Sequence, residues 1–121
     1  MNKKKKILIT GGAGYLGSMI ATYLVEEGYD VTVIDKMVFS KTSLLHLNYY
    51  SNFKFVYGDV LNKNLIKKYI KNKDFIIPLA ALVGAPLCDK HPRTTKLLNV
   101  GAINDVCKLS KSKQKIIYLT S

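Results

Sequence analysis

Three glycines, Gly11, Gly14 and Gly17, are spaced every third residue in the stretch "TGGAGYLGS". They follow a short apolar run and lead into a helical pattern, and each answers a different physical demand. Gly11 permits a tight turn, Gly14 lets the backbone approach a pyrophosphate, and Gly17 lets helix and strand pack closely. The free N–H groups at the start of the helix, where Tyr15 and Leu16 stand, favour negative charge. Asp35 closes the next apolar run, "VTVID", eighteen residues after Gly17. A carboxylate there can accept hydrogen bonds from ribose hydroxyls. Loop and acid together describe a dinucleotide site. Asp35 would repel a 2′-phosphate and so favours NAD, while Lys36 directly after it is a cation that suits such a phosphate and keeps NADP as the alternative.

These residues need a frame, and the rest of the chain supplies one. Short apolar runs at 5–10, 31–35, 53–59, 74–80 and 115–121 read as buried parallel strands. Helical patterns lie between them. The first carries Leu16, Ile20, Tyr23 and Leu24 at helical spacing, with Gly28 where a C-cap belongs. A short helical stretch, "TSLLHLNYY", offers Thr42 or Ser43 as its cap. The third places Leu61, Leu65, Ile66, Tyr69 and Ile70 on one face, and the longest runs from Pro92 with Leu98, Ala102, Val106 and Leu109 as its stripe. The alternation predicts an α/β fold, a Rossmann-like doubly wound parallel sheet with strand order 3-2-1-4-5. Residues 1–121 are expected to form one NAD(P)-binding domain, truncated after strand five, with apolar surface exposed at strands four and five and a tendency to self-associate.

The bulk composition narrows the classes. A hydrophobic content of 48% is enough for a core. Cys88 and Cys107 form no CxxC or Cys/His cluster, which argues against a structural metal or disulfide scaffold and suits a reducing cytoplasm. The first apolar run is too short for a signal peptide or membrane span. Net charge is +11, yet all the basic residues except Arg93 are lysines, scattered along expected solvated faces. Nucleic-acid readers lean on arginine, so a lysine-biased surface is favoured over a nucleic-acid patch.

Further segments extend the pattern. "GDV" (58–60), "PLAALVG" (78–84), "LLNVGA" (97–102) and the glycine motif stand in an order that resembles the extended short-chain dehydrogenase/reductases, the NAD-dependent sugar-nucleotide epimerases and dehydratases. The resemblance covers the whole chain but only about the first third of such an enzyme. It implies that Asp59 meets the adenine amino group, that Val60 lies against the ring, and that the backbone of Leu79, Ala80 and Ala81 passes the ribose and phosphates. Asn99 matches the family's central-helix asparagine, although Ala102 and Ile103 replace the usual Gly-Thr. Pro78–Leu79 stands where many members carry a histidine–leucine or histidine–phenylalanine pair. The partner implied is a nucleotide-sugar substrate, with a homodimer as the full-length state.

The resemblance also implies hydride transfer assisted by a tyrosine, a lysine four residues on, and a Ser or Thr ending strand five. Ser121 matches that last position. Two YxxxK pairs occur, Tyr50–Lys54 and Tyr69–Lys73, but neither follows strand five, so neither is assigned a catalytic role. His46 and His91 are far apart and read as surface or packing residues. The chain is expected to bind cofactor without turning over substrate. Two other readings remain open: a catalytically silent NAD-binding or regulatory module, and a basic protein associated with nucleic acid.

Overall fold

The computed structural model describes residues 5–11, 15–36, 44–79, 111 and 113–117. Its elements run β1 (Lys6–Thr10), α1 (Tyr15–Glu26), β2 (Asp30–Asp35), a 3-10 helix (Leu45–Tyr49), β3 (Phe53–Tyr57), α2 (Lys63–Ile70), β4 (Phe75–Pro78) and β5 (Lys115–Ile116). The five strands form one sheet in the order β3-β2-β1-β4-β5, as the alternation predicts. All four pairings are parallel. The expected long helix from Pro92 lies outside the described residues.

Alternate side chains of each strand enter two cores, as the pleat requires. Ile7, Ile9, Val31, Val33 and Ile77 face α1 and the 3-10 helix, where Leu44 and Leu47 complete the packing. Leu8, Ile34 and Ile76 face α2 and meet Ile66 and Ile70. A sheet covered on both faces explains why its strands are nearly continuous apolar runs.

The face that α1 turns to the sheet differs from the one its large apolar residues predict. Gly17, Ala21 and Val25 are buried there, Ile20 and Leu24 are half-buried, and Leu16 and Tyr23 are 52% and 63% exposed. The reason is distance: small residues at positions i, i+4 and i+8 let the helix axis approach the strands, which pushes the bulky side chains to the flank. There Leu16, Met19 and Tyr23 line a shallow apolar groove with Ile77 and Ile117. Exposed apolar area is therefore found along α1 and at Ile117, whereas the β4 residue Ile77 is buried.

Local boundaries also have identifiable causes. Gly28, at φ 96°, ends α1 as expected, with its N–H donating to the Val25 carbonyl and that of Tyr29 to the Leu24 carbonyl. That is the Schellman arrangement. Asn52 adds to it from the loop before β3, its Nδ2 donating to the Val25 and Tyr29 carbonyls at 3.0 and 2.7 Å. Leu44 occupies the cap position of the 3-10 helix and makes no side-chain cap bond; the expected caps, Thr42 and Ser43, lie outside the described residues. β3 stops at Tyr57, two residues short of the expected end, because the Asp59 carboxylate folds back to accept the Leu61 N–H at 2.9 Å. Helix α2 begins at Lys63, with Asn62 Oδ1 accepting the Leu65 N–H. Among the described residues, no helix is long and apolar enough to cross a membrane.

Asn52 donates to two carbonyls at the end of α1, those of Val25 and Tyr29, and so ties the loop before β3 to the helix stop. Asn52→Ala should lower unfolding stability by about 1–2 kcal/mol, read as a reduced urea midpoint with an unchanged m-value.

Candidate functional site

The strand order turns around at β1. The chain leaves β1 toward β2 on one side and returns to β4 on the other, so the strand order reverses at β1 and marks the crevice outside its carboxyl end. Open α/β sheets bind ligands in that crevice. The site candidates gather along this edge because parallel register brings the ends of neighbouring strands together: Thr10 stands beside Ile34 and Pro78, and Asp35 beside Tyr57.

The pairing continues one residue past the strands. Gly11 N–H donates to the Ile34 carbonyl at 2.8 Å, Gly58 N–H to the Asp35 carbonyl at 3.1 Å, and Leu79 N–H to the Thr10 carbonyl at 2.7 Å. These bonds hold Gly11, Asp35, Gly58 and Leu79 on a common platform. Gly11 takes φ 80°, a left-handed backbone where a β-carbon clashes. Gly17 is buried in the first turns of α1, against the strands. Tyr15 opens that helix, and Leu16 lies on its exposed flank. Gly14, Ala80, Ala81, Asn99 and Ser121 lie outside the described residues, so the middle of the glycine loop and the strand-five hydroxyl are not placed.

Asp35 is half-buried at the end of β2. Val60 is only 7% exposed, its side chain committed to the α2-side core with Ile34 and Ile66, while Leu79 packs against the α1-side core. Asp59 sits between β3 and α2 and is bound on both oxygens. Oδ1 accepts the Leu61 N–H, and Oδ2 pairs with Lys36 Nζ at 2.9 Å. A carboxylate has about four acceptor positions, so Asp59 retains capacity for a further donor.

The pair perturbs both groups. Partial burial alone raises the Asp59 pKa, but hydrogen bonds from Lys36 and Leu61, with the lysine charge, bring it below the ordinary 3.8. The hydrogen bond to Asp59, and then its charge, raise Lys36 above 10.5. A lowered carboxylate contributes stability that is present above its unfolded pKa and lost as pH falls through the folded one. A raised lysine contributes stability that is present below its unfolded pKa and lost as pH rises through the folded one. The pair therefore persists across the neutral range.

Two features were not drawn from the sequence. One is the Lys36–Asp59 pair, whose members are far apart in the chain and adjacent only because β2 and β3 are in register. The charge signs at the two strand ends were a usable signal once β3 was aligned with β2. The other is the closeness of Gly58 to α2: a β-carbon there would run into the Leu65 side chain.

The YxxxK pairs lie elsewhere. Tyr50 leads into the amino end of β3, and Lys73 precedes the amino end of β4. Lys54 and Lys68 sit over the Tyr69 ring at 5.2 and 5.3 Å, while Lys73 Nζ donates to Thr32 Oγ1 at 3.1 Å. Burial lowers the Lys73 pKa. Among the described residues, no group of His, Cys, Asp or Glu is arranged to hold a metal ion.

Known proteins share this fold. The sequence model of the NAD dependent epimerase/dehydratase family matches residues 7–121. The chain is 39% identical over 122 residues to the CDP-paratose 2-epimerase of Salmonella typhi, covering 93% of this chain and 36% of that protein. It is 31% identical to the UDP-N-acetyl-alpha-D-glucosaminuronate decarboxylase of Bacillus cytotoxicus, over 98% of this chain and 37% of that protein. Among solved structures, an epimerase of Methanothermobacter thermautotrophicus superposes with a TM-score of 0.88 at 28% identity, covering 98% of this chain and 36% of the other. The Bordetella bronchiseptica enzyme WbmH, in complex with NAD+, superposes at 0.74 with 28% identity, covering 88% of this chain and 35% of the other. The chain thus spans little more than a third of the length of the proteins it matches.

The two placed glycines differ in what a methyl group would cost. Gly11→Ala must hold a left-handed backbone and should lose about 1–2 kcal/mol. Gly58→Ala meets only the end of a flexible leucine and should lose less; chemical denaturation of both variants ranks them. The carboxyl NMR signal of Asp59 should titrate below pH 3.8 and move upward in Lys36→Met.

Proposed function

The chain belongs to the NAD-dependent epimerase/dehydratase family, and on that premise we propose that its 121 residues form the NAD-binding portion of an enzyme acting on a nucleotide sugar. The observation that carries this reading is the platform at the carboxyl edge: a left-handed Gly11, a buried Gly17 at the start of α1, and Asp35 at the end of the adjacent strand. The residues present fit the cofactor. Gly11 and Gly17 bring the start of α1 close to β1, so that the helix amides face a pyrophosphate. Asp35 holds the ribose hydroxyls and disfavours a 2′-phosphate. Asp59, with acceptor capacity left, takes the adenine amino group, and the backbone at Leu79 borders the crevice on its β4 side.

NAD, when bound, supplies reversible acceptance of a hydride from a sugar carbon. The described residues bind and orient the cofactor; they do not supply the acid/base pair for that step. Tyr50 and Tyr69 lie toward the amino edge, away from the crevice, and their lysines are engaged by other partners. A phenol with a pKa of ~10 needs a cation beside it to act as a base near neutrality. Ser121 remains the candidate hydroxyl for placing the sugar, and the relatives named above act on CDP- and UDP-linked sugars.

Calorimetric titration with NAD should show saturable one-site binding. Asp35→Asn, which removes charged hydrogen bonds of about 1.5–3 kcal/mol, should weaken it roughly 10- to 100-fold. Absence of saturable NAD binding, together with salt-sensitive binding to DNA, would overturn the reading in favour of a nucleic-acid partner.

A further inference from the structure

Lys36 and Asp59 meet just beyond the carboxyl ends of β2 and β3, and their pairing bears on which cofactor enters the crevice. Lys36 directly follows the ribose acid, Asp35. At that position an ammonium is within reach of the 2′ substituent that distinguishes NADP from NAD. Its Nζ is, however, directed across the β2–β3 boundary to Asp59 Oδ2 at 2.9 Å. The Asp59 carboxylate is itself braced by the Leu61 N–H on Oδ1. The anchor therefore belongs to the fold. Asp35, Lys36 and Asp59 together carry one net negative charge, and a 2′-phosphate would have to take the lysine from a carboxylate already bound to it.

Resting on the cofactor reading above, we propose that Asp59 is a specificity-determining positioning residue: by holding Lys36, it withholds the ammonium from a 2′-phosphate and makes the chain select NAD over NADP. Asp35 repels the phosphate directly, and Asp59 removes the group that would offset that repulsion. The size of the effect is bounded by solvent. The two side chains are 50% and 37% exposed, so the pair is a surface ion pair whose strength is small and screened by salt. Releasing Lys36 shifts selectivity without inverting it.

Adenine is common to both cofactors, so any effect of Asp59 on the base divides out of the ratio of their affinities. The test is the NADP-to-NAD affinity ratio, from calorimetry at low salt, for the unsubstituted chain, Asp59→Asn, Lys36→Met and the double variant. Asparagine keeps an oxygen for the Leu61 N–H, and Asp59→Ser gives the same comparison should Asp59→Asn fold poorly. Asp59→Asn should raise the ratio roughly two- to fivefold, and the rise should vanish when Lys36 is also replaced by methionine. An unchanged ratio would overturn the proposal. So would an equal rise in the Lys36→Met background, because Asp59 would then act by through-space repulsion alone. Loss of NAD binding in the unsubstituted chain would overturn the cofactor reading as well, whereas intact NAD binding with an unmoved ratio overturns only the role of Asp59.

Discussion

Strand β1 is hydrogen-bonded in parallel on both sides, to β2 and to β4, and the rest of the molecule depends on that double pairing. It places Gly11 at the carboxyl end of β1, where the strand order reverses, and the bonds from Gly11 to Ile34 and from Leu79 to Thr10 carry the ladders up to the rim. The site is thus an edge of the sheet with few loops between it and the core. A register slip of one residue in β2 would move Asp35 off the rim and turn Val31 and Val33 to the wrong core.

The second constraint is how closely α1 approaches the sheet. Gly17, Ala21 and Val25 allow a close approach, and the Schellman turn at Gly28 with Asn52 fixes where the helix ends. Close contact on this face has a consequence on the flank, where Leu16, Met19 and Tyr23 are left exposed.

Charge enters last, and only locally. Most of the net +11 is spread over lysines on solvated faces. At the rim, by contrast, Asp35, Lys36 and Asp59 stand within two strands of one another, and the lysine is committed to one carboxylate. These three described residues carry one net negative charge in a chain that is strongly basic overall.

The sequence by itself determined the strand order, the glycine at the end of β1, the acid at the end of β2 and the stop at Gly28. Each is written in local spacing or in a backbone conformation that few residues tolerate, so no distant contact was needed to see them. It misjudged the inward face of α1, because periodicity counts apolar residues and does not register that small ones let a helix lie closer. It placed the end of β3 two residues late, because the turn depends on one carboxylate reaching back to Leu61. It named Lys36 and Asp59 separately and left the cofactor preference divided between Asp35 and Lys36. Only the tertiary structure decided that the two side chains meet, since the distance between residues on neighbouring strands is set by register, which no single strand contains.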